Sequence, residues 1–587
     1  MTDSRNPIET NKTQTPVKEA GNRGLLWLEA GFWLLAIFLG FVHTWADHHY
    51  LTNADAMSYL DIAEAYLRRD WHTAVNSYWS PLYSWLIALA LLLVKPSSYW
   101  KFSLIHLVNF AIYLFALGCF GLLIRELVRL NRSLRPALLE TGLAILPGWA
   151  LVALGYPLFI WSAVYLIVVP EESPDLLVAS FVYLACALIL RIRRQPFNWV
   201  YFLLLGLTLG LGYLAKAVML PMALVFLGAG MFAVRNWRRA LPRVVLAAAL
   251  FAVVAAPFVF AISRAKGRLT FGDSGRLNYL WAINGIPSFH WQGEPGYGEL
   301  RHPTRKIFET PPIFEFADPV GGTYPVWLDP TYWYEGSAGK FNFQQQVAVF
   351  GNALRSYYEL FHLWGLQYGL LVGLLLLYLM GKRGRLWLSD LTVQWSLIIP
   401  AIAGMGLYSM VNVQGRYVAS FLVLLWMALF SAVRLPNTPE SQRLIRSITI
   451  VLMGVMIFTA VASSSREARV TARSLFVGED PATHEQWQVA EGLRAIGMSP
   501  GDKVAVIGYP IRAFWAHLAG LRVIAELPAE NAGSFWEADS TLKSEIIQTF
   551  ARTGAKVIVA ENPPSGVDLS GWQKIRNTNF YFYLLKS

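Results

Sequence analysis

Four charged residues of this chain stand where charge is costly. Asp55 follows a first strongly apolar run, and Asp175 ends the short link "PEESPD" between two further apolar runs. Lys216 interrupts a long apolar stretch, and Arg416 begins another. A charge at mid-membrane costs about 2.5–3.5 kcal/mol on insertion scales, which singles out Lys216 within its apolar stretch. Together the four charges predict transfer from an anionic leaving group: a carboxylate removes a proton from an acceptor hydroxyl, and cations stabilise the departing phosphate.

Tyr59, Tyr83, Glu171 and Glu172 complete the predicted site as substrate-binding residues. Tyr59 lies four residues after Asp55, so the two side chains share one face of a helix. Glu171 and Glu172 stand beside Asp175 in the acidic link. Three carboxylates so close to hydrocarbon must be solvated, paired or bound to a metal. We therefore expect a cleft lined by carboxylates.

The composition is that of a membrane protein. Of the 587 residues, 55% are hydrophobic and only 15% are charged, and the mean hydropathy is +0.41. These values exclude an ordinary soluble globule. The formal net charge of +11 does not indicate nucleic-acid binding, because most Lys and Arg lie in short loops between apolar runs. No removable signal peptide is visible, so the first apolar run is expected to be the anchor.

Eleven apolar runs are long enough to cross a hydrocarbon core, which takes about 20 residues. The run 82–95 is shorter and ends at Pro96. If it does not cross, every short basic loop falls on the side of the N-terminus, which favours a juxtamembrane helix there. The predicted spans are 25–45, 102–124, 138–168, 175–192, 198–215, 217–234, 244–263, 362–381, 388–411, 416–433 and 445–464.

The same loops orient the chain. The positive-inside rule places the N-terminus in the cytoplasm and the C-terminus outside, in a bacterial inner membrane. The outer loops are then 46–101, 170–175 and 264–361, and Lys216 and Arg416 face the same side. We therefore predict an α-helical polytopic membrane protein with about eleven spans and its chemistry on the outer face.

Three of the four charges also have a structural alternative. Asp55 could only cap the helix that follows it, Asp175 could cap the next span, and Lys216 could extend its charge to the interface. Arg416 is harder to explain in this way, because it stands on the outer side against the positive-inside rule. Its planar guanidinium suits a phosphate.

The first outer loop has two recognisable parts. The stretch "NADAMSYLDIAEAYLRR" has apolar residues at helical spacing and predicts an amphipathic helix at the membrane face, capped by Asn53 or Asp55. "SPLYSW" then turns the chain, and Tyr83 and Trp85 are expected to anchor it at the interface. The loop would hold Asp55 over the mouth of a cleft for a lipid substrate.

The order of these motifs resembles the GT-C superfamily of integral membrane glycosyltransferases, which includes protein O-mannosyltransferases and aminoarabinose transferase. The order is a first span, an outer helix of the pattern "D…Y..IA", "SPLY.W", a short "PD.L" link, "GLGYLAK" and a late "GRY". The resemblance covers approximately residues 25–465 and implies the GT-C fold for them.

The resemblance also implies a polyprenyl-phosphate sugar donor and an inverting transfer on the extracytoplasmic side. Asp55 matches the catalytic residue of the first outer loop, and Asp175, or alternatively Glu172, matches the acid of the second. Lys216 and Arg416 match the positions associated with the donor phosphate. Many relatives have "DE" or "DD" where this chain has "DA", which leaves a divalent metal and the acceptor type open; no metal ligand is assigned.

The long outer loop is too large for a plain connector. Residues 264–361 are dense in Gly, Pro and aromatic residues, which would contact a sugar or acceptor or pack on the membrane face. Its His290 and His302 show no ligand spacing and are expected at the surface.

From about residue 466 the composition becomes that of a soluble α/β domain. Strands are expected at 503–507, 521–527 and 555–561, with helices between them. No glycine-rich phosphate fingerprint is present, so the domain is expected to dock an acceptor or to be structural. The chain is thus divided into a tail 1–24, a transmembrane domain 25–465 and an extracytoplasmic domain 466–587.

The predicted function is transfer of a sugar from a polyprenyl-phosphate donor to an acceptor hydroxyl. Asp55 is the predicted general base, and the second-loop acid Asp175 is the second catalytic residue, which orients the acceptor or a metal. The acceptor is a lipid, a polysaccharide or a protein. One alternative is a transporter or flippase of lipid-linked saccharide, which would have internal repeats and polar helices near the midplane. Another is a polysaccharide polymerase or ligase that uses diphosphate-linked donors. No repeat is visible in the sequence.

Overall fold

Helices form most of the chain up to residue 477. The structure, a computed structural model, describes residues 15–234, 236–316, 318–362, 365–380, 391–478 and 484–585. The helices of the first half are α1 (Thr15–Ala46), α2 (Asp55–Arg68), α3 (Trp71–Ala74), α4 (Pro81–Val94), α5 (Lys101–Glu140), α6 (Gly148–Trp161), α7 (Asp175–Arg194), α8 (Trp199–Ala215), α9 (Met219–Ala233), α10 (Trp237–Lys266) and α11 (Ser274–Asn284). A π-helical turn, Ser162–Ile167, continues α6.

The second half has shorter helices. They are α12 (Pro325–Leu328), α13 (Pro330–Trp333), α14 (Phe343–His362), α15 (Leu366–Met380), α16 (Trp395–Ser409), α17 (Gly415–Ser431), α18 (Pro439–Ser463), α19 (Ser465–Val477), α20 (Glu485–Ala495), α21 (Phe514–Ala519), α22 (Ala532–Trp536) and α23 (Ser540–Arg552).

Two sheets are present in the described ranges. The small one pairs β1 (Leu143–Ile145) with β4 (Arg434–Pro436) in antiparallel fashion. The large one contains β2 (Arg305–Phe308), β3 (Ile313–Glu315), β5 (Lys503–Gly508), β6 (Arg522–Pro528), β7 (Val557–Glu561), β8 (Gln573–Lys574) and β9 (Phe580–Leu584). Its order is β2-β3-β6-β5-β7-β9-β8. Only β5 is parallel to its neighbours β6 and β7.

The chain is a polytopic α-helical membrane protein with a C-terminal α/β domain, as predicted. Within the described ranges, six helical segments are long and apolar enough to cross a membrane. They are Arg23–Ala46, Ser98–Glu140, Gly148–Ile167, Asp175–Arg194, Trp237–Lys266 and Pro439–Ser463. The other predicted spans correspond to the shorter apolar helices α8, α9, α15, α16 and α17. Residues 1–14 of the predicted tail 1–24, and parts of the predicted spans 362–381 and 388–411, lie outside the described residues, whereas residues 15–24 belong to α1.

The predicted span 138–168 begins too early. Helix α5 continues through the basic segment to Glu140, and β1 follows it, so the apolar helix starts only at Gly148. Leu138 and Leu139 end α5 and do not start a new span. The prediction combined the apolar residues at the end of α5 with those of α6 into one span, because an apolar run continues across the break.

Helix α2 forms as predicted, but most of its apolar side chains pack against protein on all sides. From Ala56 to Ala65 all its side chains except Glu64 are buried, with α4 and α12 packed against it. Asn53, and not Asp55, accepts a hydrogen bond at its start: the Asp55 N–H donates to Asn53 Oδ1 at 3.0 Å. Helix α4 has 14 residues and is about 21 Å long at 1.5 Å per residue, short of the hydrocarbon thickness of about 30 Å.

The large sheet joins the long loop to the C-terminal domain. The three strands predicted after residue 466 are present as β5, β6 and β7. Strands β2 and β3 come from the loop, and β3 pairs with β6 so that Phe314 lies opposite Glu526. The predicted domain boundary at residue 466 therefore leaves out two strands of the sheet, and the division itself stays a proposal.

His290 is not the surface residue that the sequence predicted. Its side chain is 7% exposed, and its Nε2 lies 2.5 Å from Glu526 Oε1. The ring stacks on Phe314 with 4.2 Å between centroids. The pairing of loop and domain buries it, which no local pattern could indicate. His302 stacks on Tyr332 and stays 37% exposed, as expected.

Helix α7 connects two charged ends of the bundle. It starts at Asp175 and ends at Arg194, and its 20 residues span about 30 Å. At the arginine end, the buried Glu126 of α5 binds Arg191 at 2.7 Å and Arg194 at 3.1 Å. Arg129 completes this cluster at 2.5 Å from Glu126. The basic segments within α5 and at the end of α7 therefore meet at the end opposite Asp175.

Candidate active site

A cavity of about 380 Å³ lies at the Asp175 end of the bundle. Its walls come from the start of α2, the start of α7, the turn between α8 and α9, α11, and the junction of α16 and α17. The polar and charged side chains among its lining residues are Asp55, Tyr59, Tyr78, Trp79, Ser80, Ser173, Asp175, Lys216, Ser274, Asn278, Tyr408, Asn412, Arg416 and Tyr417. Segments far apart in the chain thus form one chamber.

Asp55 is held at the cavity wall by two contacts. Its backbone N–H donates to Asn53 Oδ1, and Trp327 Nε1 donates to its Oδ1 at 3.1 Å. The side chain is 22% exposed, and its Oδ2 lies 3.9 Å from Arg416 Nη2. Burial raises the pKa of Asp55, and the Arg416 charge offsets part of that rise. A carboxylate with a raised pKa is a stronger base than a solvated one.

Arg416 joins all three acidic parts of the site. It forms an ion pair with Glu171, and its Nε lies 3.6 Å from Asp175 Oδ2. The Nε also donates to Gln414 Oε1 at 3.0 Å. The guanidinium is 15% exposed. The sequence predicted that Asp55 and Arg416 meet in one pocket, and the structure brings them together.

Lys216 does not extend its charge into the interface. It follows α8 in extended conformation, and its Nζ donates to Asp175 Oδ1 at 2.6 Å. The Nζ also lies 3.9 Å from the ring centroid of Tyr417. Burial disfavours the charge, but Asp175 outweighs it and raises the pKa of Lys216. Lys216 is therefore a fixed cation in the cavity wall.

The three acidic residues of the link 170–175 have different contacts. Asp175 lines the cavity, and Ser173 Oγ donates to its Oδ2 at 3.0 Å. Glu171 contacts Arg416, and burial raises the pKa of Glu171 to about 7 against the Arg416 charge. Glu172 is fully buried outside the cavity, and burial raises its pKa to about 7.

Glu172 holds the chain that leads into α2. Its Oε2 accepts the Thr52 N–H at 3.2 Å and the Asn53 N–H at 3.0 Å. Asn53 in turn positions Asp55. Of the two acids that the family pattern left open for the second loop, Asp175 is the one in the cavity.

The two predicted tyrosines differ. Tyr59 lines the cavity on the face of α2 that it shares with Asp55. Tyr83 does not line it: the side chain is fully buried, and its hydroxyl donates to Asn109 Oδ1 at 2.7 Å. The interfacial anchoring predicted for Tyr83 is wrong, because its ring packs edge-on against Tyr59 at 4.9 Å beneath the site.

The sequence missed several residues of the site. Trp327, Tyr78, Tyr408 and Asn278 surround the charged groups, and none has a local signal in an isolated sequence. Tyr417 directly follows Arg416 in "GRY", so its place could have been inferred. No group of three or more His, Cys, Asp or Glu side chains in the described part of the chain is arranged to hold a metal ion.

The charges suit a displacement at an anionic leaving group. Asp55 can accept a proton, while Lys216 and Arg416 provide an ammonium and a planar fork for phosphate oxygens. A cavity of this size also falls within the usual range for small-ligand sites, about 300–1,000 Å³. The arrangement has the parts of a group-transfer site.

Solved membrane glycosyltransferases are similar to the chain as a whole. ArnT from Cupriavidus metallidurans bound to undecaprenyl phosphate has 12% identity and a TM-score of 0.49, over 95% of this chain and 98% of that one. The oligosaccharyltransferase AglB from Archaeoglobus fulgidus, in complex with an inhibitory peptide and a dolichol-phosphate, has 12% identity and a TM-score of 0.44, over 91% and 69%.

Such similarity transfers no residue roles, because the TM-scores are below 0.5 and the identities are 12%. No protein-family model and no curated protein matches the chain. The roles of Asp55, Lys216 and Arg416 therefore rest on their own geometry.

Proposed function

We propose that this chain is a GT-C-type glycosyltransferase that moves a sugar from a polyprenyl-phosphate donor to an acceptor hydroxyl. The observation that supports it most is the meeting of Asp55, Lys216 and Arg416 around one cavity. One carboxylate and two cations from three distant segments are the groups that such a transfer needs. The cavity lies at the ends of apolar helices, where a lipid-borne phosphate can reach it without leaving the bilayer.

The reaction follows from these groups. The donor phosphate binds between Lys216 and Arg416, and Asp55 takes the proton of the acceptor hydroxyl as its oxygen attacks the anomeric carbon. The bond between that carbon and the phosphate oxygen breaks, and its electron pair leaves with the polyprenyl phosphate. Attack from the side opposite the phosphate inverts the anomeric configuration.

Donor binding would change the partners of Arg416. The guanidinium now pairs with Glu171, whose pKa is raised to about 7. A carboxyl group with that pKa can take a proton near neutral pH when a phosphate competes for its partner. The site could then accept a negative ligand without leaving an unpaired buried charge.

The proposed side of the membrane is the outer one. The basic Arg191 and Arg194 lie at the other end of α7, bound to Glu126. The positive-inside rule then assigns that end to the cytoplasm and the cavity to the extracytoplasmic face of a bacterial inner membrane. The acceptor is proposed to be a lipid, a polysaccharide or a protein.

A transfer assay tests the function. Membranes containing the full chain are incubated with a panel of radiolabelled polyprenyl-phosphate sugars, and label in lipid, polysaccharide and protein fractions is measured. We expect Asp55→Asn to lower the rate by about 10²–10⁴-fold, the usual contribution of a general base. Asp70→Asn is the matched control, because Asp70 caps α3 in the same loop. Undiminished transfer in Asp55→Asn would rule out the base.

A further inference from the structure

A short segment of the long loop runs alongside α2 and is bonded to it at both ends. This segment, which we name the strap, comprises residues 323–328 and ends in α12. At one end, Trp327 Nε1 donates to Asp55 Oδ1 at 3.1 Å. At the same end, Ser58 Oγ donates to the Trp327 carbonyl at 3.1 Å. At the other end, the Thr323 N–H donates to Asp61 Oδ2 at 2.7 Å. The strap therefore fixes the orientation of Asp55.

The backbone at the start of the strap requires glycine. Gly322 has a φ of +79°, and a Cβ there would lie 2.8 Å from Asp61 Oδ2. Only glycine adopts this conformation freely and lets the chain approach the carboxylate so closely. The contact between Asp61 and Thr323 is thus built into the backbone.

His517 of the C-terminal domain binds this end of the strap. Its Nδ1 lies 3.0 Å from Asp61 Oδ1 and 3.2 Å from Thr323 Oγ1. Its Nε2 lies 3.5 Å from Glu64 Oε1, and the side chain is 3% exposed. No local pattern could indicate this contact, because His517 and Asp61 are 456 residues apart.

We propose that His517 is a positioning residue: it holds α2 and the strap in register and thereby orients the Asp55 carboxylate toward the cavity. This role rests on the proposed function of Asp55. It makes the C-terminal domain part of the machinery of the site, although none of the domain's described residues lines the cavity.

The charges around His517 keep it protonated. Asp61 and Glu64 face it from α2, and Glu64 is also bound by Lys101 at 2.7 Å and Arg68 at 3.3 Å. Burial lowers the pKa of His517, but Glu64 and Asp61 outweigh this and raise it from 6.5 to about 9. The contribution of this charge to the contact is then complete below about pH 6.5 and is lost as the pH rises through about 9.

Hydrogen–deuterium exchange on the purified full chain in detergent tests the proposal without any substrate. At neutral pH we expect His517→Gln to accelerate exchange in peptides of α2 and the strap at least tenfold. Peptides of β5 should stay unchanged. In the wild type, raising the pH through about 9 should give the same acceleration after correction for intrinsic rates, and the variant should lack this step. His302→Gln is the control, since His302 is an exposed histidine next to Glu335.

Thr323→Val keeps the test decisive if His517→Gln does not fold. It removes the hydroxyl that donates to Asp61 at 2.9 Å and leaves the C-terminal domain intact, so it should accelerate the same peptides. Unchanged exchange of α2 and the strap in these variants would overturn the proposal.

Kinetics separate this proposal from the proposed function. In the transfer assay, kcat of His517→Gln should fall at least tenfold while KM for the donor stays the same, because His517 does not touch the cavity. If even the wild type transfers no sugar, the proposed function fails, and the exchange experiment still decides on His517.

Discussion

The two ends of α7 hold charge clusters that look alike in composition and differ in use. At one end Glu126 is 1% exposed and bound by three arginines. At the other end Asp175 is 2% exposed and bound by Lys216 and Arg416. Among the residues that the structure describes, only the second cluster contains further carboxylates, Asp55 and Glu171, and borders the cavity of about 380 Å³.

The difference shows what makes a buried charge cluster a candidate site. Glu126 is enclosed by its three arginine partners. The arginine side chains themselves are 30–47% exposed, so their guanidinium groups reach water. Around Asp175 the cations face an open chamber and are shared among more acids than they can fully bind. The cations around Asp175 can therefore exchange a carboxylate partner for a phosphate. The arginines around Glu126 border no such cavity, so a ligand could bind them only by disrupting the cluster.

Matched arginine variants at the two ends of α7 should give the largest difference in the rate of sugar transfer. Arg416→Met is expected to slow sugar transfer by about 10²–10³-fold, because it removes a preorganised donor to the leaving phosphate. Arg194→Met, at the Glu126 end, should leave the rate within about twofold. Initial rates in the transfer assay, normalised to folded protein by size-exclusion chromatography, measure both. Equal losses would mean that the clusters do not differ as described.

A pH series should show how the buried Glu172 carboxyl lowers stability at the Asp175 end of α7. Its pKa is raised from 4.5 to about 7 in the folded chain, so the folded state holds its proton more tightly than the unfolded state. The contribution of Glu172 to the unfolding free energy is therefore fully present below about pH 4.5 and is lost as the pH rises to about 7. At about 1.36 kcal/mol per pKa unit the loss is roughly 3 kcal/mol.

The thermal unfolding midpoint in detergent, measured between pH 4.5 and 8, checks this. Glu172→Gln should flatten the decline, because an amide oxygen still accepts from Thr52 and Asn53 but carries no charge. Glu309→Gln is the control, since that side chain is 82% exposed. A wild-type profile that does not fall with rising pH contradicts the prediction.

Glu126→Gln should have the smallest effect of the three, and it should act on stability alone. Loss of the carboxylate leaves three arginines without their common partner, but their exposed heads can turn to water. We expect a loss of about 1–2 kcal/mol in unfolding free energy, seen as a lower unfolding midpoint with unchanged kcat. A fall in kcat at full stability would show that this end also takes part in transfer.

The sequence predicted the charged residues and missed those that orient them. Asp55, Asp175, Lys216 and Arg416 are conspicuous because charge is costly beside lipid. Trp327 and His517 are an ordinary aromatic in a loop and an ordinary histidine in a soluble domain. Their roles arise from contacts with α2 across hundreds of residues, which periodicity cannot reveal.

The fold, like the site, could be predicted only in part from the sequence. Apolar runs gave the helices of the bundle, and buried apolar runs gave β5, β6 and β7. Strands β2 and β3 were missed because four and three residues in a loop have no periodicity to read. The wrong start at residue 138 has a related cause: an apolar count does not register the break between α5 and α6.

The sharing of one sheet by the long loop and the tail also sets an order of assembly. Strand β3 ends at Glu315, and its partner β6 begins at Arg522. At a synthesis rate of about 5–20 residues per second, roughly 10–40 s separate the emergence of the two strands from the ribosome. Throughout that interval β3 presents a bare edge, which is a template for aggregation. A nascent or truncated chain that lacks its last portion is thus a natural client for holdase chaperones and quality-control proteases.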